Sequence, residues 1–222
     1  MSVLAVVGLK REAALVAGPG IDVVIGGGDS ALLWQRLELA LRDNVKGIIS
    51  IGIAGALSPM LDAGHCVVAS AVLSGGAPLQ TDTAWTSNLR RTLPHTVTGT
   101  IAGAERIAAT SEEKAAIRRD TGADAVDMES HVAGRFAHER SLPFAALRAI
   151  SDRADHTLPH AARVAMKPSG GIALGRVLQS VVTRPQQIPA LVRTNRETEK
   201  AFAALLRCLD ALGPGFGCPY LG

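Results

Sequence analysis

The feature that most constrains this chain is its alternation of short, β-branched apolar runs with Ala- and Leu-rich stretches of helical period. Val3–Val7, Val23–Ile25, Gly47–Ile53, Cys66–Leu73, Thr96–Ala102 and Phe144–Ile150 read as strands. Several are apolar at successive positions, as strands are when a sheet is covered on both faces. Ser30–Arg42, Thr86–Leu93, Ser111–Arg119, Ser130–Arg140 and Gly171–Val182 read as helices. Thr110 followed by Glu113 is a capping box that fixes the start of the third. This order predicts a three-layer α/β fold with a mixed, largely parallel central sheet flanked by helices. Ligands of such sheets sit at the carboxyl ends of strands, so the residues directly after each strand are the candidates for chemistry.

Composition removes several function classes. A length of 222 residues suits one domain, and 47% hydrophobic residues supply a core. Lys plus Arg number 23 and Asp plus Glu 20, so the net charge is only 23 − 20 = +3. With scattered basic residues and 3% aromatics, neither a basic face nor a base-stacking platform is expected, hence no nucleic-acid partner. Cys66, Cys208 and Cys218 are odd in number and form no CxxC pair, against a disulfide framework or a zinc site. His156 and His160 have ligand-like spacing, but Pro159 interrupts a helix there and no third ligand follows, so no metal is expected. No basic segment precedes the first apolar run, and the stretch Gly47–Leu57 is too short to span a bilayer. A reducing, cytoplasmic setting is the expectation.

The organisation expected is a catalytic domain over 1–182 and a helical extension over 183–222 packed on it. Arg184-Pro185-Gln186-Gln187-Ile188-Pro189 punctuates the chain, a long helix should run to about Leu212, and Gly213–Gly217 ends it. Its apolar positions suit packing on the domain; transient contact with a membrane surface is the other use of such a helix.

Three carboxylates follow strands. Glu12 comes just after the first, where it can face a ligand or simply favour a helix dipole. Glu129 follows the short run Ala125-Val126-Asp127-Met128, and Asp127 or Ser130 can cap the helix beyond it. Asp152 follows Ile150-Ser151, as an acid or as a cap. Their convergence on one sheet edge is more specific than any of them alone. Gly26-Gly27-Gly28-Asp29-Ser30-Ala31 fits a GxGxxA turn, but no carboxylate follows near residue 48, which excludes the dinucleotide reading. These glycines either bring backbone N–H groups to an anion or only make the turn. Ile53 and Gly55 lie in a second glycine loop after the third strand, which lets a ligand approach the backbone or serves packing.

Ser50-Ile51-Gly52-Ile53-Ala54-Gly55-Ala56-Leu57, Val126-Asp127-Met128-Glu129-Ser130 and Arg148-Ala149-Ile150-Ser151-Asp152-Arg153-Ala154-Asp155 resemble, in order and spacing, landmarks of the purine nucleoside phosphorylase and methylthioadenosine/S-adenosylhomocysteine nucleosidase superfamily. The likeness covers about residues 1–182. The tail is similar to the hopanoid-associated phosphorylase branch, thought to remove adenine from adenosylhopane. The resemblance implies cleavage of a purine nucleoside's N-glycosidic bond, with phosphate or water as co-substrate and no other cofactor. It implies Asp152 as the acid at purine N7, Glu12 as the residue that activates water, and Glu129 and Met128 at the ribose, with Ser151, Ile53 and Gly55 beside the substrate. Gly26, Gly27, Gly28 and Arg11 are the candidates for an anion. A 5′-substituted adenosine, even one bearing a lipid, is the implied substrate, with methylthioadenosine or S-adenosylhomocysteine second. A homo-oligomer is implied. A purine-binding protein without catalysis is the reading from another class. One departure is informative: the phosphate-binding arginine and serine of hexameric phosphorylases are replaced here by Ser50 and Ile53.

Overall fold

The structure is a computed structural model and describes residues 1–163, 169–171 and 173–221. Eight strands and eight α-helices follow one another as β1 (Ser2–Val7), α1 (Lys10–Val16), β2 (Ile21–Ile25), α2 (Ser30–Ala40), β3 (Val45–Ala56), β4 (Cys66–Leu73), β5 (Leu79–Gln80), α3 (Thr83–Thr92), β6 (Val97–Gly103), α4 (Ser111–Thr121), β7 (Ala125–Asp127), α5 (Ser130–Glu139), β8 (Phe144–Asp152), α6 (His160–Arg163), α7 (Leu174–Thr183) and α8 (Ile188–Leu212), among the described residues.

Two-residue periodicity within wholly buried strands builds the layers. Along β1, Leu4 and Val6 face one core with Leu33 and Leu37 of α2 and Phe136 of α5. Val3, Ala5 and Val7 face the other, with Trp85 and Leu89 of α3 and Ala201, Leu205 and Leu209 of α8. The apolar half of α8 therefore belongs to the main core, and Trp85 Nε1 donates to Phe216 O at 2.8 Å to hold the segment beyond it. The first half of α8 is more open, with Ile188 and Val192 exposed.

The sheet is mixed. β1 lies between β2 and β3, all parallel. β3 pairs parallel with β8, which pairs antiparallel with β4. β4 pairs parallel with β6, β6 with β7, and β7 returns antiparallel to Gly55 and Ala56 at the end of β3. The path β3–β8–β4–β6–β7 thus closes on itself and draws the ends of β3, β7 and β8 together.

Some elements differ from the sequence reading. The seven-residue α1 has too few periodic positions to stand out; Glu12 at its third position reaches back to the N–H of Leu9 at 2.7 Å and stabilises its start. β8 runs on through Ser151 and Asp152. β7 stops at Asp127, leaving Met128 and Glu129 beyond it. The helix expected from Gly171 begins at Leu174, and Ile172 lies outside the described residues. Pro159 does not prevent α6 but precedes it, where a missing N–H costs nothing. His156 pairs with Glu197, and His160 Nδ1 lies 3.0 Å from Ser180 Oγ, so each has its own partner. Among the described residues no group of three or more His, Cys, Asp or Glu could hold a metal ion. No helix among them is long and apolar enough to cross a membrane.

Candidate active site

The closed strand path leaves a cavity of about 300 Å³ at the carboxyl ends of β3 and β8. Glu12, Glu129 and Asp152, the first more than a hundred residues of chain from the other two, line it together, as do Ile53, Gly55, Met128 and Ser151. Arg106, Ile107 and Leu158 supply further wall, and Thr194 and Thr198 of α8 close one side.

Glu12 is buried and accepts three backbone N–H bonds, from Gly8 and Leu9 through Oε2 and from Ile53 through Oε1, each 2.7 Å long. It thus fills the cradle of amides between the ends of β1 and β3. Burial nevertheless pushes its pKa above the usual carboxylate range, against the opposing pull of Arg148 and the three amides. Gly52 allows this approach, because a Cβ there would collide with the Glu12 carboxylate and with Arg148 Nη1.

Glu129 is buried nearby, its carboxylate also close to Gly8. Its Oε1 accepts from Gly28 N at 3.1 Å, and a Cβ on Gly26 would press on its side chain. Burial raises its pKa to about 7; Arg148 opposes the shift, while Asp127 and Glu12 add to it. The glycine turn therefore presents a carboxylate and not a set of free donors. Gly26 N donates to Val7 O, Gly27 N to Gly8 O and Gly28 N to Glu129. The anion-binding role expected of Gly26, Gly27 and Gly28 is not what these amides serve. Nor is it served by Arg11, whose guanidinium makes a two-pronged pair with Glu199 of α8 at 2.5 and 2.6 Å and covers the Phe202 ring at 3.9 Å. None of these four residues lines the cavity.

Sequence reasoning assigned no role to Arg148, which is wholly buried beneath the carboxylates. It pairs with Asp127, and its Nη2 donates to Ser50 Oγ at 2.5 Å and Ser130 Oγ at 3.2 Å. Among the described residues its Nε and Nη1 meet no acceptor. Asp127 also takes the Ser130 N–H at 3.2 Å and the Ser130 hydroxyl, so it caps α5 and balances the guanidinium at once. An arginine inside an apolar strand motif was the available signal.

At the far end, Asp152 Oδ2 accepts from the ammonium of Lys114, a wholly buried residue of α4, and Oδ1 pairs with Ser151 Oγ at 2.7 Å. Ser151 Oγ also lies 3.2 Å from Ala54 O, which ties β8 to β3 beside the acid. Nothing in the run Ser111–Thr121 distinguishes Lys114 from its solvated neighbours.

The fold and this acidic pocket define an enzyme of the nucleoside phosphorylase and nucleosidase class. The chain belongs to the phosphorylase superfamily, whose signature matches residues 4–183. Among solved structures it is similar to the 5′-methylthioadenosine/S-adenosylhomocysteine nucleosidase of S. pneumoniae, bound to a transition-state inhibitor, with a TM-score of 0.62 and 19% identity over 95% of this chain and 100% of that one. The corresponding Helicobacter pylori nucleosidase gives a TM-score of 0.66 at 16% identity, covering 95% and 97%. A Helicobacter pylori futalosine hydrolase mutant gives 0.60 at 16%, covering 94% and 100%. At these identities the likeness establishes the fold. No protein of curated function matches the chain by sequence.

Proposed function

We propose that the protein cleaves the N-glycosidic bond of a purine nucleoside with water as the acceptor. The observation that carries the reading is the filled amide cradle: Gly8, Leu9 and Ile53 N–H groups, which could hold a phosphate, are already bonded to Glu12. A phosphate placed there would have to displace a carboxylate or repel it.

The chemistry follows from the groups present. Departure of the base leaves an oxocarbenium-like sugar, and carboxylates aimed at it stabilise the developing positive charge. Glu129 would accept hydrogen bonds from the ribose hydroxyls, with Met128 against the sugar face. Glu12, with its raised pKa, is a competent base for the attacking water. Asp152 would deliver a proton to purine N7, so that a neutral base leaves, with Ser151 orienting it and Ile53 and Gly55 bounding the substrate. Metal and organic cofactors have no part in this scheme.

The substrate we favour is an adenosine with an apolar 5′ substituent. Leu9, Ile107 and Leu158 give the cavity apolar walls that suit such a group. Adenosylhopane is the particular candidate suggested by the resemblance of the tail; methylthioadenosine and S-adenosylhomocysteine are the alternatives. Oligomerisation and contact with a lipid surface belong to the same proposal. The test is to incubate the protein with adenosine, methylthioadenosine, S-adenosylhomocysteine and a 5′-alkyl adenosine, with and without phosphate, and to identify base and sugar products. Free adenine and free ribose sugar at equal rates in both buffers are expected. A ribose 1-phosphate product would reverse the choice of acceptor, and retention of intact nucleoside would leave a binding protein.

A further inference from the structure

We propose that Lys114 is a positioning residue that supplies the proton Asp152 passes to the departing base. This rests on the purine-nucleoside reading above and adds a residue to it.

Lys114 does not line the cavity and is wholly buried, yet its Nζ has three oxygen partners: Asp152 Oδ2, Arg153 O at 2.6 Å and His156 O at 2.9 Å. An amine with three acceptors around it is a full ammonium, with every N–H committed. Asp152 Oδ2 is then an acceptor, and Oδ1 faces the Ser151 hydroxyl. In this arrangement the carboxylate has no proton of its own to give. The nearest one is on Lys114, already directed at the acid.

Burying a lysine is unfavourable unless it is paired, so a bystander at this position of α4 would normally be apolar. The capping box of Thr110 and Glu113 fixes the first turn of α4, with Lys114 directly after it. The carbonyls of Arg153 and His156 bring the chain beyond β8 to the same nitrogen. Helix, strand end and following loop thus all hold one ammonium on one carboxylate.

The step balances. As the glycosidic bond breaks, its electron pair goes to the purine. A proton moves from Lys114 Nζ to Asp152, which passes it on to the purine nitrogen. The base leaves neutral, Asp152 stays anionic and Lys114 is left as the amine. Water adds to the sugar carbon and loses its proton to Glu12. Glu12 then releases a proton to solvent, and Lys114 regains one as the base departs.

The test compares Lys114→Met and Lys114→Arg in the full chain, using a cleavable purine nucleoside and a nitrophenyl riboside, whose leaving group needs no proton. Arginine keeps the ion pair but does not release a proton under these conditions. If Lys114 supplies the proton, both variants lose on the order of 100-fold in kcat on the purine substrate, the scale of general acid catalysis, while KM stays within about threefold. Their activity on the nitrophenyl riboside, where the wild-type protein shows it, stays close to wild type. Full purine activity in Lys114→Arg would overturn the proposal and make Lys114 only a counter-charge. Parallel loss on both substrates would also overturn it, because Lys114 would then be holding the fold. A wild-type protein that cleaves no nucleoside at all would instead remove the reading beneath it.

Discussion

At one end of the cavity three carboxylates, Asp127, Glu12 and Glu129, surround a single guanidinium, Arg148, whereas at the other end one carboxylate, Asp152, meets one ammonium, Lys114. The first cluster sets three acids around one cation in a buried place; burial raises the pKa values of Glu12 and Glu129, and for Glu129 the neighbouring Asp127 and Glu12 add to the rise. Such a surplus suits a sugar turning cationic. The second cluster is balanced, so it attracts no net charge and instead holds a proton ready. The two halves of a glycosidic cleavage, a cation forming and a base needing a proton, would thus each meet the environment they require.

The largest effect should come from the balanced end. Asp152→Asn keeps the shape but removes the proton path, and steady-state kinetics should show kcat on a purine nucleoside reduced by about 10²–10⁴, the range for general acids. Activity near that of the unmodified protein would end the division of roles between the two clusters.

The surplus end should show itself in pH. The fold favours the neutral form of Glu129, whose pKa rises from its ordinary value near 4.5 to about 7. Its contribution to stability is therefore complete below pH 4.5 and is lost as the pH rises through about 7. Activity should move the other way, because the ionised carboxylate is the form that accepts ribose hydroxyls and opposes positive charge. Denaturant melts and kcat/KM profiles between these limits should diverge, and Glu129→Gln should flatten the Glu129 part of both. Parallel profiles would mean that Glu129 does not titrate in the substrate-free pocket.

The smallest effect belongs outside both clusters. Arg11 and Glu199 are half-exposed, and a pair of this kind contributes no more than about 1 kcal/mol. Arg11→Ala should lower the thermal midpoint slightly through this pair and the Phe202 contact, with kcat unchanged. A large loss of kcat would put the start of α1 into the catalytic machinery.

Much of the fold was legible because it depends on local pattern. β4 matches its reading at both ends, Cys66–Leu73, since a β-branched run between polar segments has few other uses. The capping box at Thr110 and Glu113 is present with both reciprocal bonds, because its residues are three apart in sequence. Placement of Glu12, Glu129 and Asp152 was legible through the strand-end rule, and the structure brings all three to one cavity. The fate of the glycine turn was not legible, since its amides are spent on Val7, Gly8 and Glu129, one of them about a hundred residues away.

The sequence by itself determined which segments become buried strands and helices, and which acids stand where strands end, because period and position are properties of the chain alone. Tertiary structure decided what surrounds those acids. Whether Glu12 closes the amide cradle depends on the pairing of β1 with β3, whether Arg148 lies under the carboxylates depends on the return of β7 to β3, and whether Lys114 turns its ammonium toward Asp152 depends on α4 meeting the chain at the end of β8. Electrostatic environment falls off with distance in space and is indifferent to separation along the chain.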